Sequence, residues 1–181
     1  MNINKTLLGW VISRIKPLSK ITSFLLVLNL VLMLGVNVAQ AASVTSLTDN
    51  LSRLKASTLS DHEIKFVSPT GVAAAGTITL TFGTPGFALG TFAVVNADFA
   101  TGSTSNCTSA TYTEQALAAS ASGATWGIAT SSATTLTLTS GTGTSSAGNC
   151  VRFRLGSNTS TGGAGATFIT NGAASATTAK V

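Results

Sequence analysis

Few side chains in this chain are suited to acid–base or nucleophilic chemistry. There is a single histidine, His62, and the five carboxylates are Asp49, Asp61, Glu63, Asp98 and Glu114. A serine or cysteine nucleophile needs a neighbouring base, and a glycosidase needs two carboxylates roughly 5 to 10 Å apart across a cleft. No spacing here predicts either arrangement. We interpret residues 60–62 as a polar turn and predict that the chain is not an enzyme; an enzyme would need a cleft that gathers His62 with distant carboxylates.

One segment could bind a cation through oxygen ligands. Asn96 and Asp98 open the stretch 96–106, which also holds threonine, glycine and asparagine, and Ca²⁺ prefers carboxylate, amide and backbone oxygens. The pattern departs from an EF-hand loop, because Phe99 interrupts it and the glutamate at the twelfth position is missing. An Asx-turn would use the same residues for local hydrogen bonds. We therefore expect no cofactor, with a Ca²⁺ site at Asn96 and Asp98 as the alternative.

Tyr112 and Trp126 are the candidates for binding a ligand by stacking, since an exposed aromatic ring can serve as a platform for a sugar on a β-sandwich. In a domain this poor in large apolar residues, an aromatic side chain more often belongs to the core. Both interpretations, a glycan platform and a core position, apply to these two residues.

The chain contains two cysteines, Cys107 and Cys150. We predict that they bond to each other, because the leader described next directs the chain to an oxidising compartment; free thiols or an intermolecular bridge are the alternatives. Closing a loop of about 43 residues would destabilise the unfolded chain by roughly 4 kcal/mol in the chain-entropy model. Cys150 shares its strand phase with Arg152 and Arg154, so we expect the bond at a strand end or rim, which disfavours a true immunoglobulin domain.

The first 41 residues have the layout of a signal peptide. Basic residues precede an apolar run at 21–36, which is shorter than the roughly 20 residues needed to span a bilayer comfortably. Ala39 and Ala41 form the small-x-small pattern read by a signal peptidase. We predict cleavage after Ala41 and an extracytoplasmic location, either secreted or at the cell surface. The alternative is an uncleaved anchor; in both cases only this segment would contact the membrane.

The net charge of +5 arises mainly from this leader. Four of the ten basic residues lie in it and none of the five acids does, so the remainder carries a net charge of only +1. Nucleic-acid binding needs a basic patch or stripe, and the remaining basic residues are few and scattered. We predict no nucleic-acid partner.

The pattern beyond the leader predicts one helix followed by many short strands. The helix is predicted at 47–56, where a capping pattern meets leucines spaced i, i+4 and i+7. Period-two alternation and intervening turns predict about eight strands. They lie at 63–67, 77–82, 91–95, 111–114, 125–129, 135–139, 151–155 and 166–170.

Strands of this kind without βαβ spacing predict an all-β fold, an antiparallel β-sandwich with jelly-roll or Ig-like architecture. The expected organisation is a leader at 1–41, a helical lead-in at 42–60 and the sandwich at 61–181. The last residues resemble the opening of a further strand, which favours a chain truncated at its C-terminus.

Three segments resemble uncharacterised exported surface proteins predicted from bacterial genomes. They are residues 51–62, the Pro69-Thr70-Gly71 turn and the Ala147-Gly148-Asn149 turn. The resemblance spans roughly residues 43–171 and implies an extracytoplasmic β-sandwich with no catalytic residue to carry over.

We expect an exported, non-catalytic structural or adhesive domain at the cell surface. Its partners would be other surface proteins or further copies of itself, joined through sheet edges, because low charge leaves few obstacles to strand addition. The alternative is an extracellular module that binds glycans or calcium. A pilin-like subunit is the weaker alternative, because the apolar run contains no glutamate.

Overall fold

The computed structural model describes residues 43–83, 86–161 and 163–172, and strands dominate them. The strands are β1 (Thr45–Leu51), β2 (Leu59–Ser60), β3 (His62–Ser68), β4 (Thr77–Thr81), β5 (Ala88–Leu89), β6 (Ala97–Gly102), β7 (Tyr112–Gln115), β8 (Leu117–Ala118), β9 (Trp126–Ser132), β10 (Thr135–Thr139), β11 (Asn149–Leu155) and β12 (Ile169–Thr170). The only helix among these residues is a single 3₁₀ turn, Val94–Asn96. The all-β prediction is confirmed. The predicted leader, its cleavage site at Ala39 and Ala41, and the C-terminal residues 173–181 lie outside the described residues.

The strands form three sheets. A five-stranded sheet has the order β1-β3-β11-β6-β7, a four-stranded sheet the order β4-β10-β9-β8, and a small three-stranded sheet the order β2-β12-β5. Neighbouring strands are antiparallel, except that β8 runs parallel to β9. The chain passes from the five-stranded to the four-stranded sheet within one residue, Ala116, which separates β7 from β8. The edge strand β7 of one sheet is therefore followed directly by the edge strand β8 of the other.

The two larger sheets share one hydrophobic core, which makes the arrangement sandwich-like. Strict alternation in β4 and β10 buries the aliphatic residues and leaves the threonines on the other face, as expected for a half-buried pleat. In β11, Val151, Phe153 and Leu155 are buried and the arginines between them are not. The ring of Phe99 lies 4.7 Å from that of Trp126 and 4.9 Å from that of Phe153, so it joins the two sheets.

The helix predicted at 47–56 is wrong. Residues 45–51 form β1, which pairs with β3 along its length. The three leucines of the expected stripe do not share a buried face, because Leu47 is 39% exposed and Leu54 is 87% exposed. Pairing with a neighbouring strand satisfies the backbone groups of this segment and outweighs its weak local preference for helix.

The strand predicted at 91–95 is also wrong, and the loop predicted at 96–106 is wrong in its first half. Val94–Asn96 is a 3₁₀ turn, and Ala97–Gly102 is β6, held between β11 and β7. Five of the six residues of β6 are buried, so both of its faces are covered. Small residues permit this close packing, and the same residues gave the sequence a loop-like composition. The predicted strand at 166–170 is reduced to Ile169–Thr170.

Candidate functional site

His62 opens β3 and is fully buried, so the predicted polar turn at 60–62 is wrong. Its Nδ1 lies 2.8 Å from Oδ2 of Asp49, a carboxylate of β1. Nε2 has no hydrogen-bond partner among the described residues. The rings of Phe82 and Phe87 pack against the imidazole, with centroids at 5.5 and 6.2 Å. The structure thus brings His62 to a distant carboxylate, but within the core and not in an open cleft.

Asp61 anchors a loop that follows β11. Its carboxylate accepts hydrogen bonds from the backbone N–H and hydroxyl of Ser157 and from the hydroxyl of Thr167, over 2.6 to 2.8 Å. Burial raises the pKa of Asp61, but these hydrogen bonds and the nearby His62 outweigh burial and hold the pKa below its ordinary value. The carboxylate serves as an acceptor for the loop.

Asn96 and Asp98, the candidate ligands of the alternative calcium site, bind the same loop. Asp98 is 1% exposed, and its two oxygens accept the backbone N–H groups of Ser160 and Thr161 at 2.7 and 3.1 Å. Oδ1 of Asn96 accepts the N–H of Ala166 at 2.9 Å. These oxygens already have donors, and the described part of the chain contains no group of three or more His, Cys, Asp or Glu able to hold a metal ion. Asp98 also borders a small, mainly apolar cavity of about 340 Å³.

The two aromatic candidates occupy different environments. Trp126 has no exposed surface and packs against Phe99 in the core. Tyr112 lies on the outer face of the five-stranded sheet, where its hydroxyl donates to the carbonyl of Cys107 at 2.9 Å. The Arg152 guanidinium carbon lies 4.6 Å from its ring centroid, which is a cation–π distance. Burial raises the pKa of Tyr112 despite the opposing charge of Arg152.

The disulfide between Cys107 and Cys150 is present, with a Cα–Cα distance of 5.4 Å. Cys150 is the second residue of β11, as expected for a bond at a strand end. It ties the loop after β6 to the outer face of the five-stranded sheet. Gly102 packs closely against this cysteine, because a Cβ there would lie 3.0 Å from the Cys150 carbonyl oxygen. The bond therefore lies within one sheet and does not link the two.

Charged side chains collect on this outer face. They are Glu63, Lys65, Glu114, Arg152 and Arg154, which we call the charged face. Glu63 lies 2.5 Å from Nζ of Lys65 and 3.2 Å from Nε of Arg154, and Arg152 pairs with Glu114. Burial raises the pKa of Glu63, but hydrogen bonds and the charges of Lys65 and Arg154 lower it below its ordinary value. A polar groove of about 670 Å³ runs beside this face, between β1 and the Cys107 loop.

The outer face of the four-stranded sheet is different. Thr77, Thr79 and Thr81 of β4 stand directly opposite threonines 139, 137 and 135 of β10. We call these six residues the threonine face. The four strands of this sheet carry no charged residue.

Sequence reasoning missed the Asp49–His62 pair, since it depends on the pairing of β1 with β3. Within the described ranges the structure contains no helix long and apolar enough to cross a membrane. Comparison with known proteins gave no match: no family model, no curated protein and no solved structure is significantly similar to the chain.

Proposed function

We propose that the chain is an exported, non-catalytic domain with a structural or adhesive role at the cell surface, built as an antiparallel β-sandwich. The observation that supports this most directly is that the side chains best suited to catalysis or ligand binding are buried or bound within the chain itself. Trp126 is buried, His62 is enclosed by phenylalanines, and Asp61 and Asp98 bind a loop of the same chain. The edge strand β4 of the four-stranded sheet, by contrast, has no strand paired to its outer side among the described residues.

The leader and the disulfide support the proposed location. A basic segment, an apolar run and a small-x-small site are what an export signal requires. A disulfide between the only two cysteines fits an oxidising compartment. Because the bond lies within one sheet, we favour a jelly-roll-like arrangement over an immunoglobulin domain, whose disulfide joins its two sheets.

Export can be tested on cells that express the whole chain. We expect a membrane-impermeant amine reagent and externally added protease to reach the domain on intact cells, and the mass of the product to match cleavage after Ala41. The control is Leu28→Arg in the apolar run, which should retain the chain inside the cell. A wild-type chain that is protected from both reagents until the cells are lysed would overturn the proposed location.

A second function, glycan binding, has one supporting observation. The groove beside the charged face is lined mainly by hydroxyl and amide side chains, among them Thr48, Asn50 and Asn106, together with Lys65, and such groups suit a polar ligand. A panel of oligosaccharides tested by thermal unfolding would detect this binding through a rise in melting temperature. Asn50→Ala should abolish any rise seen; a rise unchanged by this substitution would exclude the groove as its source.

A further inference from the structure

The free edges of the two larger sheets are not equally protected. β1 contains a bulge between Thr45 and Thr48, a positive φ at Ser46 and an inward-pointing carboxylate at Asp49. β7 carries Glu114, and β8 has only two residues. Bulges, charges and shortness are features that keep edge strands from pairing with other chains. β4 has none of them: it is five residues long, uncharged, and in unbroken register with β10.

The free hydrogen-bonding groups of β4 can be identified from its pairing with β10. The N–H of Phe82 donates to the carbonyl of Thr134, and the N–H of Ser140 donates to the carbonyl of Gly76. Even-numbered residues of this segment therefore direct their backbone groups towards β10, and odd-numbered residues direct theirs to the other side. The N–H and C=O groups of Thr77, Thr79 and Thr81 point to the free edge. No described residue hydrogen-bonds to them.

The pairing of β10 with the other edge of β4 shows which sequence pattern matches this strand. Its sequence, Thr-Leu-Thr-Leu-Thr, pairs with the Thr-Ile-Thr-Leu-Thr of β4 so that threonine faces threonine and aliphatic faces aliphatic. β4 has the same pattern, and an antiparallel copy of it reproduces that match when Thr79 faces Thr79. The hydrophobic and threonine faces both then continue across the new junction, and no charge is buried.

We propose that β4 is a self-association edge, at which two copies of this chain pair their β4 strands antiparallel about a two-fold axis through Thr79. Thr77 of one copy then faces Thr81 of the other. The three facing pairs supply six backbone hydrogen bonds, two per pair, and the two four-stranded sheets become one sheet of eight strands. This proposal deepens the structural role given above and rests on it.

Engineered disulfides test the pairing and its register. Residues that face each other in a hydrogen-bonded antiparallel pair have Cα atoms about 5.5 Å apart, which suits a disulfide. We expect protein expressed from the whole chain with Thr79→Cys to form a covalent dimer on non-reducing gels. Thr137→Cys, on the same face but on the interior strand β10, is the matched control and should give several-fold less. Thr77→Cys and Thr81→Cys should cross-link to each other when mixed, more than either does alone.

A second variant blocks the edge without removing a native hydrogen bond. The N–H of Thr79 points away from β10, so Thr79→Pro removes only a free donor, and edge strands tolerate proline at such a position. We expect the wild-type protein to double in mass with rising concentration by light scattering, and Thr79→Pro to stay monomeric with unchanged circular dichroism. Wild-type protein that remains monomeric, or equal cross-linking by Thr79→Cys and Thr137→Cys, would overturn the proposal. If the wild-type protein reached the cell surface but did not self-associate through β4, the proposed function would stand and only the proposed pairing would be excluded.

Discussion

The two larger sheets share a core but differ in their use of charge. The five-stranded sheet carries a charged residue in each of its strands, and these residues pair with one another or bind the loop around residues 157–167. The strands of the four-stranded sheet carry none, and their outer face is largely threonine. The charged residues of the five-stranded sheet therefore make contacts within the fold. The contact with a second copy proposed above would use the uncharged sheet.

The largest effect should come from the core that both sheets share. Trp126→Ala removes a fully buried side chain that packs against Phe99, and we expect it to lower the free energy of unfolding by about 3 to 5 kcal/mol. Tyr112→Ala is the matched control, an aromatic residue on the outer face, and its loss should be clearly smaller. Urea unfolding followed by circular dichroism measures both. Equal losses would mean that the core does not depend on the four-stranded sheet in this way.

Loss of the disulfide should affect the five-stranded sheet selectively. We expect the double variant Cys107→Ser, Cys150→Ser to fold but to lose about 2 to 4 kcal/mol of stability. Hydrogen exchange should quicken in β6 and β7, which the bonded loop connects, and in β11, to which it is bonded, and stay nearly unchanged in β4 and β10. Reduced wild-type protein is the control and should behave like the variant. Equal quickening in both sheets would contradict a local role for the bond.

Acid should destabilise the protein through carboxylates in or next to the five-stranded sheet, because the strands of the four-stranded sheet contain none. The pKa values of Asp61 and Glu63 lie below their ordinary values of 3.8 and 4.5 in the folded state. Their contribution is therefore complete above the ordinary values and is lost as the pH falls through the lowered ones. We expect stability to decline below about pH 4.5 and to decline further below 3.8.

Asp61→Asn sharpens this prediction. It removes one titrating group and one acceptor of the Ser157 and Thr167 hydrogen bonds, so it should cost about 1 to 3 kcal/mol at neutral pH and flatten the acid decline. Thermal melts from pH 3 to 7 would measure both effects. A decline as steep as that of the wild type would assign the acid sensitivity to other carboxylates.

The sequence predicted well those features that depend only on local alternation. β10 lies where period-two alternation placed it, and β11 buries Val151, Phe153 and Leu155 with the arginines between them outside. The disulfide between the two cysteines is also as predicted; that prediction rested on the export signal, because free thiols or an intermolecular bridge were the alternatives. The strand predictions needed only one short segment each.

The errors concern segments whose structure depends on distant partners. The leucines at 47, 51 and 54 fit a helix as well as a strand, and the choice was made by pairing with β3. The composition of β6 favoured a loop, but pairing with β11 and β7 on its two edges makes it a strand, and the loop at residues 160–161 covers one of its faces. The Asp49–His62 contact follows from the same non-local pairing. Short-range patterns contain none of these long-range contacts.

The smallest effects should come from single substitutions on the two outer faces. The two faces should differ in how far the effect on stability depends on salt concentration. Glu63→Gln removes partly exposed ion pairs with Lys65 and Arg154, so we expect a loss of at most about 1 kcal/mol that shrinks as salt screens the charges. Thr79→Val keeps a β-branched residue on the threonine face and should change stability by no more than about 0.5 kcal/mol, with no dependence on salt. Urea unfolding at low protein concentration, in low and high sodium chloride, compares the two. Salt dependence for Thr79→Val, or its absence for Glu63→Gln, would contradict the view that ion pairs stabilise the outer face of the five-stranded sheet and not that of the four-stranded sheet.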